Sequence, residues 1–143
     1  MKAFTFLRIA SIISFLFAIG HTMGMPWTPS KEGPANAVVE AMKSTSFEAM
    51  GVTRTYWNFY QGFGLNLSMM LLMQAVLLWM LAALAKTNAA ALRPMIAVFA
   101  LTFIASAILT WEFIFAAPAL MEIAIAICLL VALASIKSKS LNP

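Results

Sequence analysis

The sequence predicts an all-α fold: a four-helix transmembrane bundle with a short amphipathic helix in its first outer loop. Three observations carry that prediction. Of 143 residues, 63% are hydrophobic and only 10% are charged, against about 25% charged in ordinary soluble domains. A soluble fold of this size leaves too much surface exposed to hide so many apolar side chains. Four apolar runs are long enough to cross a bilayer, and the basic residues collect at their ends. The net charge of +4 is therefore membrane-flank placement and not a nucleic-acid patch.

A crossing helix needs about 20 apolar residues. The first run covers residues 4–21, interrupted only by Arg8, whose long side chain can snorkel to the surface. The second, 55–85, carries no charge. It exceeds a simple span, so it must tilt, bend near Gly62 and Gly64, or project from the membrane. The third covers 94–115 and the fourth 117–136, with a turn at 116–118 where Pro118 suits the first turn of a new helix. The whole chain, 1–143, reads as a single membrane domain.

Charge flanks set the orientation. Lys2, Arg8, Lys86, Arg93, Lys137 and Lys139 fall on one side. Lys31, Lys43 and Arg54 fall on the other, balanced by Glu32, Glu40 and Glu48. The positive-inside rule then puts both termini in the cytoplasm, with the 22–53 loop and the 116–118 turn outside. The first run also has features of a signal peptide, with Ala18-Ile19-Gly20 as a small-x-small site. Phe4 and Phe6 extend the apolar run beyond Arg8, which favours an uncleaved first span. Within the outer loop, Pro34 opens a helix whose apolar face holds Val38, Val39 and Met42, continuing through Phe47 and Met50 to a stop at Gly51.

Polar groups in a bilayer are costly, so their positions are the best functional signal. Glu122 is the most informative. A fourth span starting after it would keep only residues 123–136, a rise of about 21 Å against a hydrocarbon core of about 30 Å. Glu122 must lie inside the span, neutral or paired. Glu112 lies about as far before the 116–118 turn, so the two carboxyl groups are expected at similar depth. Arg54, Asn58, Gln61, Leu65 and Ser68 have the spacing of one helical face. These residues define a candidate outer-leaflet polar pocket of His21, Arg54, Asn58, Gln61, Glu112 and Glu122, with Tyr60 and Trp111 at its margin, for a lipid or lipophilic small molecule. The competing reading is a hydrogen-bond network that only orders the bundle, with Tyr56, Trp57 and Trp111 in an interfacial belt.

Other chemistries have weaker signals. His21, Met23 and Met25 offer imidazole and thioether ligands suited to Cu(I), but their spacing is unspecific. Met69, Met70, Met73 and Met80 read as helix-interface filler. Zinc lacks ligands, with one His and one Cys, Cys128, inside an apolar run. Haem would need a Met as second axial ligand to His21. No nucleophile elbow, phosphate loop, dinucleotide fingerprint or HExxH is present. An enzyme would have to use Glu112, Glu122 and His21 in acid–base chemistry on a lipid or quinone-like substrate. The preferred expectation is a non-catalytic binding or accessory protein without a cofactor. Its partners would be membrane lipid, a lipophilic small molecule, and a protein or second copy in the membrane, with no nucleic acid.

The stretches "RIASIISFLFAIGHTMG", "VVEAMK", "FEAMGVTRTYWNFYQGFGLNLS" and "LLMQAVLLWMLA" resemble a family of small bacterial integral membrane proteins of unassigned activity. The resemblance covers residues 8 to about 85 and, loosely, the rest. Its motifs are GHT-x-G, here Gly20, His21, Thr22 and Gly24, and R-[TS]-x-x-[DN]-x-Y-x-G-[FY], here Arg54, Thr55, Asn58, Tyr60, Gly62 and Phe63. It implies four helices and an uncleaved first span. It also implies Asp in many relatives where this chain has Asn58, and hence one acidic group fewer here.

Overall fold

The computed structural model describes residues 2–24 and 33–136. Met25, Lys31, Glu32, Lys137 and Lys139 lie outside the described residues. The chain runs α1 (Lys2–Gly24), α2 (Pro34–Ser44), β1 (Ser46–Ala49), β2 (Val52–Thr55), α3 (Tyr56–Asn88), a 3-10 turn (Ala90–Leu92), α4 (Arg93–Phe113) and α5 (Ala116–Ala134). Helices α1, α3, α4 with its leading turn, and α5 are each long and apolar enough to cross a membrane. The described residues are those of an all-α multi-pass membrane protein with four such helices, as expected, plus one small ribbon that was not. At 33 residues, α3 is about 50 Å long. It continues without a break through Gly62 and Gly64.

Two compact units make up the chain. The first comprises residues 1–17 and 71–143, so it takes a stretch from each of the four long helices. Leu7 and Ala10 of α1, Leu78 and Ala82 of α3, Ile96 and Phe103 of α4, and Ile125 and Leu129 of α5 are buried there. Two serines tie α1 to α3: Ser11 Oγ donates to the Ala75 carbonyl at 2.7 Å, and Ser14 Oγ to that of Leu71 at 3.3 Å. Small hydroxyl residues serve membrane interfaces in this way, letting backbones approach while satisfying their own polar atom. Arg93, at the first residue of α4, donates to the Leu133 carbonyl at 3.2 Å and to that of Ile136. It therefore caps the C-terminal end of α5, where carbonyls lack helical partners and the dipole favours a cation.

The second unit is residues 18–70. Here α2 starts at Pro34 after Gly33 (φ 80°) and ends at Thr45, whose N–H donates to the Ala41 carbonyl. Val39 and Met42 are half-buried, but Val38, expected beside them, is 60% exposed. The helix does not run on to Gly51. Residues 46–55 instead form an antiparallel hairpin, pairing Ser46 with Thr55 and Ala49 with Val52. Its two-residue turn has positive φ at both Met50 (51°) and Gly51 (80°), the primed geometry that matches strand twist. Phe47 packs at a tilt against Tyr56 at 5.0 Å and meets Phe59 edge-on at 5.3 Å, which seats the hairpin on the first turn of α3.

Candidate functional site

Helices α4 and α5 are joined by only Ile114 and Phe115, so they run antiparallel as neighbours. Small residues make the close approach possible: Ala100 and Ala107 on α4 and Ala126 and Ala132 on α5 are buried. One edge of this pair is a groove of about 400 Å³, lined by Ile104, Ile108 and Trp111 from α4 and by Ile123, Ile127 and Leu130 from α5. The spacing is i, i+4, i+7 on both helices, one apolar stripe each. Glu112 closes the end of the groove nearest the interhelical turn and supplies its only acidic group. An apolar slot ending in a carboxylate suits an amphiphile whose head donates hydrogen bonds or carries positive charge.

Glu122 does not line that groove. It is 5% exposed on the buried face of α5. Ser106 Oγ of α4 donates to its Oε1 at 2.6 Å, while Oε2 has no hydrogen-bond partner among the described residues. The expectation that Glu112 and Glu122 share one depth fails. The turn is at 114–115 and not at 116–118. Glu112 is then one residue from its helix end and Glu122 six from its helix start, a difference of about 7.5 Å along the axis. Glu112 is exposed and Glu122 is buried. The two carboxyl groups do not form a level pair.

His21 belongs to the other unit, on the last turn of α1. Its Nδ1 lies 3.0 Å from Ser68 Oγ. Thr22 Oγ1 is 2.7 Å from the Ala18 carbonyl and 2.9 Å from Ser68 Oγ. All three contacts are satisfied when Nδ1–H donates to Ser68, Ser68 donates to Thr22, and Thr22 donates to the carbonyl, each proton being used once. Ser68 is the partner that sequence reasoning missed. It stood on the α3 face that was singled out, but nothing in one sequence registers α1 against α3.

The second motif resolves into a helix start. Arg54 is in β2 opposite Phe47, exposed, with its guanidinium donating to the Thr53 carbonyl at 2.9 Å. It therefore does not share a helical face with Asn58, Gln61, Leu65 and Ser68. Asn58 Oδ1 accepts from the Thr55 N–H at 3.1 Å and from Thr55 Oγ1 at 2.9 Å, and the Asn58 N–H donates back to Thr55 Oγ1 at 3.1 Å. This is a reciprocal capping box, which satisfies two of the orphan donors around the N-terminus of α3. Asp in place of Asn could make the same acceptor bond. Tyr60 stacks on Trp57 at 5.6 Å, and Lys43 lies 5.5 Å above the Trp57 ring. Gln61 is half-buried on the next turn.

The eight expected pocket residues thus divide: His21, Arg54, Asn58, Tyr60 and Gln61 in one unit, Trp111, Glu112 and Glu122 in the other. Within the first, His21 is joined to Ser68 and Asn58 to Thr55. Within the second, Trp111 and Glu112 share the groove and Glu122 is joined to Ser106. Among the described residues no three His, Cys, Asp or Glu side chains cluster as a metal site. Met23 is 76% exposed, and Met25, the third proposed Cu(I) ligand, lies outside the described residues. Cys128 is buried in α5. In comparisons with known proteins, the chain matches no family model, no curated protein and no solved structure.

Proposed function

We propose that this chain is a non-catalytic binding or accessory protein of the bacterial cytoplasmic membrane, with both termini in the cytoplasm. Its ligand is a lipid or lipophilic small molecule held in the α4/α5 groove at the outer leaflet. The observation that supports this reading best is the apolar slot ending at Glu112 and Trp111. In this orientation the interhelical turn faces outward, because Arg93 at the opposite end of α4 belongs to the cytoplasmic basic flank. Glu112 then sits at headgroup level and the groove descends beside acyl chains. A carboxylate there selects an ammonium-bearing head over a purely anionic one. The kinship suggested by the GHT-x-G and R-[TS]-x-x-[DN] stretches belongs to the same proposal. Those stretches supply the α1 terminus with its Ser68 contact and the α3 cap, which are supports of the fold. Acid–base catalysis by Glu112 and Glu122 gains no support, since the two lie about 7.5 Å apart in depth.

The test is lipid retention. The full chain, extracted into mild detergent, is exchanged against equal amounts of phosphatidylethanolamine and phosphatidylglycerol, and bound lipid is counted by native mass spectrometry. The reading predicts that a groove-filling Ile127→Trp removes ethanolamine-lipid adducts and that Glu112→Gln removes their preference. Adducts unchanged in folded Ile127→Trp protein would refute it.

A further inference from the structure

Arg8 lies about 1.7 helical turns along α1 from Lys2, inside its apolar part. Its guanidinium carbon is 3.2 Å from the centre of the Trp79 ring and 5.2 Å from that of Phe4. Lys86 approaches the same Phe4 ring, with Nζ at 4.4 Å. Both cations therefore approach the Phe4 ring, and Arg8 also covers Trp79. Nothing of opposite sign is near them in sequence: residues 1–17 and 71–111, which include all of this region, contain no Asp or Glu. Among the described residues the only ion pair is Lys43 with Glu40, on α2. Arg8 Nε is enclosed and has no hydrogen-bond partner among the described residues. The ring stacking offsets part of the cost of holding a guanidinium here. It leaves both cations without an anion, and Arg8 Nε without an acceptor, among the described residues.

Trp79 has a second role. It ends an apolar groove of about 290 Å³ between α1 and α3, lined also by Ile12, Phe15, Leu72 and Val76. Ser11 borders this groove, but its hydroxyl is spent on the Ala75 carbonyl. The slot is therefore apolar along its length, about 10 Å from the level of Arg8 to that of Phe15. Charge stands at one end of it, and nothing polar is offered along it.

We propose that this edge of α1 and α3 is a binding site for an anionic phospholipid, whose phosphate is held by Arg8 and Lys86 and whose acyl chain lies in the groove beneath Trp79. The phosphate supplies the acceptor for the planar guanidinium edge, which fork-like donors match well. It also neutralises two cations that have no ion-pair partner among the described residues. The groove adds what a free phosphate cannot use, and so commits the site to a lipid. Basic pockets between membrane helices commonly take anionic headgroups. This site is separate from the α4/α5 groove and opposite to it in charge preference.

The experiment uses the full chain with the α4/α5 groove closed by Ile127→Trp, in mild detergent, exchanged against equal amounts of phosphatidylglycerol and phosphatidylcholine, with adducts counted by native mass spectrometry. The expected result is a preference for phosphatidylglycerol of about tenfold, the size of one charge-assisted contact. Arg8→Gln brings the ratio close to parity, and Lys86→Gln lowers it severalfold while leaving Arg8 on Trp79. Val76→Trp fills the groove with all charges kept and lowers phosphatidylglycerol retention. Lys43→Gln, an equal charge change elsewhere, leaves the ratio as it was. Excess inorganic phosphate does not displace the lipid. The proposal is overturned if folded Lys86→Gln keeps the parent ratio and folded Val76→Trp the parent phosphatidylglycerol retention, if Lys43→Gln lowers the ratio as much as Lys86→Gln, or if inorganic phosphate alone displaces the adduct.

Discussion

The Ser106–Glu122 contact makes a quantitative prediction. Glu122 is buried on α5, and Ser106 Oγ at 2.6 Å is its one hydrogen-bond partner among the described residues. Ser106→Ala would leave both carboxyl oxygens in an apolar interface. An orphaned buried polar group costs about 1–3 kcal/mol. Hydrogen bonds between membrane helices average only about 0.6 kcal/mol, with a maximum near 1.7, because the unfolded chain in the membrane also finds partners. The expected loss for Ser106→Ala is therefore about 1–2 kcal/mol. Replacing both members, Ser106→Ala with Glu122→Leu, removes the polar pair entirely and keeps comparable volume at position 122. That double variant should lie within about 0.5 kcal/mol of the parent, or above it. With Glu122→Leu alone costing about 0–1 kcal/mol for the orphaned Ser106 hydroxyl, the coupling energy is about 1 kcal/mol or more. Reversible unfolding in mixed micelles, with denaturing detergent titrated against helicity, measures all four corners of the cycle. A coupling below about 0.3 kcal/mol, or a double variant as weak as the sum of the singles, would refute the claim that this bond is what accommodates Glu122.

Three further outcomes follow from local geometry. Thr55→Ala should destabilise the protein by about 1 kcal/mol through loss of the α3 cap, whereas Asn58→Asp should be neutral or slightly stabilising because a carboxylate accepts the same bond near a positive helix end; the same unfolding titration reads both. Arg93→Met should speed hydrogen exchange of the last-turn amides of α5 severalfold, since it uncaps the Leu133 and Ile136 carbonyls. Met50→Gly should stabilise the hairpin by about 0.5–1 kcal/mol, because a non-glycine residue at φ 51° is strained and Met50 is fully exposed with no packing to lose; equal or lower stability would mean that the tip is held by something beyond backbone geometry.

The four spans were legible because the bilayer imposes their length: an uninterrupted apolar run of about 20 residues has few alternatives. Depth was legible too, but only to the accuracy of the turn. Placing it at 116–118 paired Glu112 with Glu122. Placing it at 114–115 puts Ser106 and Glu122 within one residue of equal distance from the turn, so the true partner was within reach of the same count. The hairpin was missed because Phe47 and Met50 mimic a helical i, i+3 step. The contrary signals were Gly51 at the second turn position and the β-branched Val52, Thr53 and Thr55 after it, weakened by an atypical Met50 before it. Arg54 was drawn onto the helix by the same error, since its spacing to Asn58 is helical while its backbone is a strand. Contacts such as His21 with Ser68 depend on how two helices register, which no periodicity within either one can give. The stacking of Arg8 on Trp79 was hidden for the same reason, and snorkelling was the natural expectation for a lone arginine.

The most direct test of the binding account is where a ligand touches the chain. A photoreactive phosphatidylethanolamine, with its label midway along the acyl chain, is bound to the full protein, irradiated, and mapped by peptide mass spectrometry. The account predicts labelling at Ile108, Ile123 and Ile127, lost in Ile127→Trp and reduced in Glu112→Gln. Labelling that persists unchanged in both variants, or that falls only on exposed faces away from the α4/α5 groove, would contradict it.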